Sequence, residues 1–184
     1  MLTYKIGDVT KPKKRPGINL ILHVCNDVGA MGSGVALALF KRWPKVRSEY
    51  IKWYREMEYY NETSGYTIND EVIPFVLGQV QIFQVEPNLY VGNMIAQRDI
   101  VPYDNLPMAR LDSLRECLRR VANTYNEKVN IIMPRVCSGI GGAYWGDVRD
   151  IINQELGDTT RFTVTVYDIQ AVPGTEYETK EEQV

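Results

Sequence analysis

Ile18-Asn19-Leu20-Ile21-Leu22-His23-Val24-Cys25-Asn26, followed shortly by Gly29-Ala30-Met31-Gly32-Ser33-Gly34, is the stretch on which the fold turns. An apolar run this nearly continuous lacks the strict alternation of a strand wetted on one side, so it predicts a strand covered on both faces. Further β-branched and apolar runs over Leu2–Val9, Phe75–Val85, Leu89–Ile95, Val129–Met133 and Arg161–Ile169 read as companion strands. Between them, Ser33–Trp43, Val46–Tyr59, Leu106–Tyr125 and Trp145–Leu156 carry helical spacing, as in Leu111, Leu114, Leu118 and Val121. Strands alternating with helices predict an α/β fold: a three-layer α/β/α sandwich around a mixed, mainly parallel sheet.

The chain has 184 residues, of which 45% are hydrophobic and 24% charged. That suits one soluble domain burying roughly 70% of its unfolded surface, with no need of a structural metal. The domain is expected over residues 1–170, with 171–184 as an acidic tail of four glutamates that stays solvated and mobile. A net charge of -2 gives no broad footprint for nucleic acid. The short basic run Lys11, Lys13, Lys14, Arg15, set between prolines, reads as a solvated loop in preference to a polyanion contact. Cys25, Cys117 and Cys137 form no C-x-x-C pair, and a single histidine cannot complete a Cys/His zinc site. Reduced thiols, no signal-peptide h-region and no membrane-length apolar run predict a cytoplasmic protein with no membrane partner. No metal and no cofactor are expected.

Two glycine loops, Gly29–Gly34 and Ser138-Gly139-Ile140-Gly141-Gly142, each follow an apolar strand and precede a helix. Beyond the carboxyl ends of parallel strands, helix N-termini and close-approaching glycine backbone offer N–H groups to anions, and two such loops suit a diphosphate. Neither loop fits G-x-G-x-x-G, since Leu37 stands where the third glycine belongs, and no G-x-x-x-x-G-K-[ST] occurs. No arginine follows a cysteine at the spacing of a thiol phosphatase loop, and H-E-x-x-H and G-x-S-x-G are absent. Water chemistry in a phosphate-rich pocket remains.

Gly7-Asp8-Val9-Thr10, His23-Val24-Cys25-Asn26 leading into the first glycine loop, and Met133-Pro134-Arg135-Val136-Cys137-Ser138-Gly139-Ile140-Gly141-Gly142 together resemble a macrodomain. With the closing Thr163–Asp168 strand, the resemblance spans most of Leu2–Asp168. It is strongest to the branch of ADP-ribose 1″-phosphate phosphatases, and the chain is also similar to terminal ADP-ribose glycohydrolases. The resemblance implies an ADP-ribose cleft with ADP-ribose or its 1″-phosphate as small-molecule ligand. Asp8 would accept the adenine amino group beside the Val9 N–H. The diphosphate would lie on Gly29 and Met31 to Val35, with Gly32, Ser33 and Gly34 as backbone donors, and on Ser138, Gly139, Ile140, Gly141 and Gly142. Asn26 would face the distal ribose, Tyr144 would cap it or pack in the core, and Tyr167 and Asp168 would stand near the adenosine.

The lysine and aspartate of the glycohydrolases have no counterpart, the matching positions being about Ala96 or Gln97 and Gly141. The phosphatase branch implies catalytic polar groups at the first loop, where His23, Asn26 and Asp27 stand. His23 or Asp27 would activate water, with a core histidine and a turn aspartate as the alternative readings. The expected reaction is phosphate removal from ADP-ribose 1″-phosphate, a by-product that such enzymes clear after tRNA splicing or RNA repair. The alternatives are a non-catalytic ADP-ribose reader and a hydrolase acting on ADP-ribosylated protein or nucleic acid.

Overall fold

The computed structural model describes residues 2–62, 73–102 and 105–179, with the side chains of 58–62 excepted. The strands are β1 (Leu2–Ile6), β2 (Ile18–Asn26), β3 (Val80–Glu86), β4 (Leu89–Gln97), β5 (Val129–Met133) and β6 (Phe162–Asp168); the helices are α1 (Gly34–Arg42), α2 (Lys45–Glu62), α3 (Leu111–Thr124) and α4 (Trp145–Glu155). They build one six-stranded sheet in the order β1-β6-β5-β2-β4-β3. Every pairing is parallel except the β3/β4 hairpin. The sandwich expected from the alternation of elements is the one observed.

The continuous apolar strands are explained by two cores. Leu20 and Leu22 of β2, Ile131 and Met133 of β5 and Val164 and Val166 of β6 point toward α3 and α4. Ile21 and Cys25 of β2, Ile132 of β5 and Val91 and Ile95 of β4 point toward α1 and α2. Because side chains alternate, each central strand needs apolar residues at successive positions to fill both layers.

Some boundaries move for local reasons. The strand expected from Phe75 begins at Val80, because Val76 N–H bonds Pro74 O and Gln79 N–H bonds Val76 O in a turn. Phe75 instead packs its ring against Tyr50, Trp53 and Tyr54 of α2. The helix expected from Leu106 begins at Leu111, because residues 108–110 pair with the end of β4: Arg98 N–H bonds Met108 O and Arg110 N–H bonds Ala96 O.

The tail differs from the expected solvated segment. As far as 179 it is strapped along β1: Glu178 N–H donates to Tyr4 O at 2.9 Å, Tyr177 Oη donates to Asp168 Oδ2 at 2.7 Å, and Arg135 Nη2 donates to Thr175 Oγ1 at 2.8 Å. Composition alone hid this, because the binding groups are backbone, the buried Asp168 of β6 and the half-buried Arg135 after β5. Among the described residues no helix is long and apolar enough to cross a membrane.

Removing one hydrogen bond to a buried carboxylate costs about 1–3 kcal/mol. Tyr177→Phe is accordingly expected to lower the urea midpoint and to speed amide exchange at Glu178 while leaving α3 and α4 protected. Unchanged exchange at Glu178 would show that the strap does not depend on this bond.

Candidate functional site

The connections place the site. From β2 the chain moves outward through α1, α2 and β3 to β4 on one side, and from β5 through α4 to β6 on the other. The order therefore diverges between the adjacent strands β2 and β5, and in open α/β sheets the crevice beyond such a divergence is where ligands sit. A cleft of about 470 Å³ opens there, lined by residues 30–36 of the first glycine loop, residues 134–137 and 139–141 of the second, Asn26, and Gln97 and Ile100 after β4.

The first loop is shaped from within by Asn26. Its Oδ1 accepts the N–H groups of Val28 (3.2 Å) and Ala30 (3.1 Å), and its Nδ2 donates to Ala30 O at 2.5 Å. Tyr50 of α2 fixes it from behind, its hydroxyl reaching Asn26 O at 2.6 Å and Oδ1 at 2.8 Å. A Cβ on Gly29 would lie 2.5 Å from the Tyr54 ring, and φ there is +71°. This Gly29 contact lets the loop fold down onto α2.

The second loop turns at Cys137, whose φ is +65°. Ala143 N–H bonds Cys137 O and Gly142 N–H bonds Gly139 O, closing the loop on itself. Gly141 is pressed from both sides: an added Cβ would meet Cys137 O at 2.7 Å and Ala109 at 3.1 Å. The N–H groups of Gly139, Ile140 and Gly141, and those of Gly32 to Ala36 at the start of α1, have no acceptor among the described residues. Both sets border one cleft, and the α1 end adds the positive pole of its macrodipole.

Of the residues expected in the site, the cleft lining brings together His23, Asn26, Met31, Gly32, Ser33, Gly34, Val35, Gly139, Ile140 and Gly141. Two of these have other work. Asn26 was expected to face a ribose, yet its side chain is consumed in holding the loop. His23 was expected to activate water, yet it is 1% exposed, and its Nε2 meets Asn93 Oδ1. Burial pushes its pKa down to about 4, against a smaller opposing effect of the Asn93 hydrogen bond. It is a neutral core histidine. Asn93 is itself spent on His23, Val46 O and Gln81.

The rest lie outside the lining. Asp27 ties the first loop to the turn after β4, its Oδ1 accepting Asp99 N–H at 2.7 Å, and it stands outside the cleft lining where a water activator was expected. Ser138 and Gly142 use their N–H groups within the second loop. Tyr144 is 74% exposed on the far side, over a separate cavity between α4 and the tail, because its ring stacks on Gly146. Tyr167 is buried, its hydroxyl accepting Lys13 N–H at 3.0 Å. Asp168 is ion-paired with Arg135 through two contacts of 2.9 Å. Val9 is part of the core beside α1 and α2. Asp8 is exposed at the end of β1, and its Oδ1 accepts both the hydroxyl (2.7 Å) and N–H (2.9 Å) of Thr10. The hydroxyl bond most of all holds its carboxyl below the usual range.

Sequence reasoning passed over Tyr50 and Arg135, and read Tyr54 as a packing residue, which its ring is, against Gly29 and Phe75. Arg135 stands in the wall between the cleft and the α4 cavity, its guanidinium 5.1 Å from the Tyr4 ring and 5.3 Å from the Trp145 ring. Asp168 raises its already high pKa. An arginine directly after the strand-ending Met133-Pro134 was the available signal. The cleft thiol of Cys137 is pushed up to about 12 by burial, so it is no nucleophile.

No protein-family model matches the sequence. A macrodomain protein from Streptomyces coelicolor superimposes with a TM-score of 0.72 at 34% identity, covering 91% of this chain and 99% of that one. The chain belongs to the macrodomain family. A Bacteroides thetaiotaomicron protein of unknown function is similar at 38% identity and a TM-score of 0.77, over 91% of this macrodomain and 98% of its own chain. Among curated proteins, the ADP-ribose 1″-phosphate phosphatases of Saccharomyces cerevisiae and Candida albicans are 24% and 26% identical, covering 91% and 90% of this macrodomain and 98% and 99% of their own lengths.

His23 also sets a pH dependence. Its folded pKa lies below the unfolded value near 6.5, so the unfolded state binds more protons between the two. Its contribution is complete above about pH 6.5 and is lost as pH falls toward 4, by about 3 kcal/mol at most. Urea titrations at stepped pH are expected to show this slope in the wild type and to lose it in His23→Gln.

Proposed function

We propose that this macrodomain binds ADP-ribose derivatives in the β2/β5 cleft and removes phosphate from ADP-ribose 1″-phosphate. The observation that carries the ligand reading is the two sets of unpaired backbone N–H groups facing one cleft, which suit the two phosphates of a diphosphate better than a single anion. Asp8 retains Oδ2 for an adenine amino group at the same end of the sheet. Support for the reaction comes from relatives that carry the phosphatase name over nearly their whole length.

In this reading the chain's backbone does most of the chemistry. Phosphoryl transfer demands alignment and stabilisation of charge on the phosphoryl oxygens, which fixed N–H donors supply. Water would be oriented by neutral polar groups, with Gln97 at the cleft edge the foremost of them. The buried thiols and reducing chemistry they imply fit a cytoplasmic location, which belongs to the same proposal.

A second reading, a non-catalytic ADP-ribose reader, is favoured by one specific observation. The titratable side chains lining the cleft are His23, held neutral, Cys25 and Cys137, held as thiols, and Arg135, none of them a base at neutral pH. Saturable ADP-ribose binding without phosphate release from the 1″-phosphate would select it.

Calorimetry with ADP-ribose and phosphate release from ADP-ribose 1″-phosphate test both. A Cβ at Gly139 meets nothing within 4 Å, so Gly139→Val adds bulk at the cleft without disturbing packing. It is expected to weaken binding by about tenfold or more, roughly 1.4 kcal/mol, with the urea midpoint unchanged. The pH–rate profile is expected to show no inflection near the usual histidine value. An inflection there would restore a histidine base.

A further inference from the structure

The basic run after β1 is the one sequence motif that the cleft leaves unused, and the fold gives it a defined shape. Residues 8–17 cross the sheet face carrying Asn130 and Ile132 of β5 and Thr165 and Tyr167 of β6. The crossing is pinned through its main chain. Arg15 N–H donates to Asn19 Oδ1 and Arg15 O accepts from Asn19 Nδ2, both at 2.8 Å, while Lys13 N–H donates to Tyr167 Oη at 3.0 Å. The side chains of Lys13, Lys14 and Arg15 are thereby left to line a cavity of about 340 Å³, which Lys5 joins from β1.

The floor of this cavity is polar and buried: Asn130, Thr165 and Tyr167 are 7%, 5% and 6% exposed. Tyr167 receives the Lys13 N–H, so its own hydroxyl hydrogen remains available to donate. Lys14 leans toward Glu86 at 3.4 Å, whereas Lys5, Lys13 and Arg15 make no ion pair with any described residue. Glu178, on the terminal strap, is the one carboxylate in the lining. Like charges gathered around one concavity repel unless an anion joins them.

We propose that this cavity is a second anion site, separate from the cleft, that takes a small polyphosphate such as a diphosphate or triphosphate group. The cleft and this cavity share no lining residue. Its volume falls at the small end of the range of about 300–1,000 Å³ for small-molecule sites, more than a lone phosphate fills. Three cations without an ion pair among the described residues, and a fourth shared with Glu86, stand against the one lining carboxylate and call for an anion carrying more than one charge. Nucleic acid fits less well: the charges converge into one hollow instead of tracking a backbone, and the aromatic ring in the lining is buried beyond the reach of a base.

The test is calorimetric titration of the full chain with inorganic tripolyphosphate, in the wild type, in Lys13→Ala/Arg15→Ala and in Gly139→Val. The loop's pins at 13 and 15 are main-chain groups, so the double variant is expected to keep its urea midpoint and its ADP-ribose affinity. Lys5→Gln, on β1, serves as an independent variant. Saturable binding in the wild type, weakened about tenfold or more by the double variant and less by Lys5→Gln but kept by Gly139→Val, supports the site. Absence of saturation at millimolar tripolyphosphate overturns it. So does loss of binding in Gly139→Val with the double variant unaffected, which would place the anion in the cleft. A single-stranded oligonucleotide that binds more tightly than tripolyphosphate through Lys13 and Arg15 would overturn it in favour of a nucleic-acid surface.

Discussion

The parallel pairing of β2 with β5, Ile18 to Ile21 against Val129 to Ile132, is the constraint from which the site follows. These strands are far apart in sequence and leave in opposite directions across the sheet, so each delivers its loop to the same crevice. Were another strand inserted between them, the glycine loops would stand too far apart to share a ligand. The pairing is held by side chains on both faces and, at its lower end, by a buried polar contact, Asn130 Nδ2 to Asn19 Oδ1 at 2.8 Å. The same Asn19 pins the basic loop, so one buried amide connects the sheet's register to the shape of its surface.

Around the crevice, side chains that look chemical in sequence act mostly as scaffolding. Asn26 and Tyr50 hold the first loop, Asp27 anchors its start to Asp99, and His23 and Asn93 satisfy each other inside the core. The loops keep N–H groups free at the cleft because Asn26 and Asp27 fix the first loop and the second closes on its own backbone. A rigid backbone donor array costs little reorganisation when an anion arrives, which favours binding and stabilisation of developing charge alike.

Arg135 connects the cleft wall to the terminal strap. Its pair with the buried Asp168 is bidentate, and Tyr177 and Thr175 complete the cluster from the tail. Burying such a charge is tolerable because every partner is present. The strap therefore belongs to the domain, and the second loop's approach is buttressed by residues that composition assigns to a solvated tail.

The six strands and four helices of the described residues, the three-layer order and the two loops were legible in the sequence, because apolar periodicity and glycine placement are local records of burial and turning. Elements were misplaced where a tertiary partner outbid local preference, as when residues 108–110 joined β4 instead of extending α3. Which way a side chain faces was not legible. His23 and Asn26 lie on one strand three residues apart, and only the positions of Asn93 on β4 and Tyr50 on α2 decide that both are occupied. The sequence by itself determined where chain could be buried and where it must turn. The tertiary structure alone decided which polar groups remain unpaired, since a hydrogen-bond partner distant in sequence leaves no trace in the local pattern.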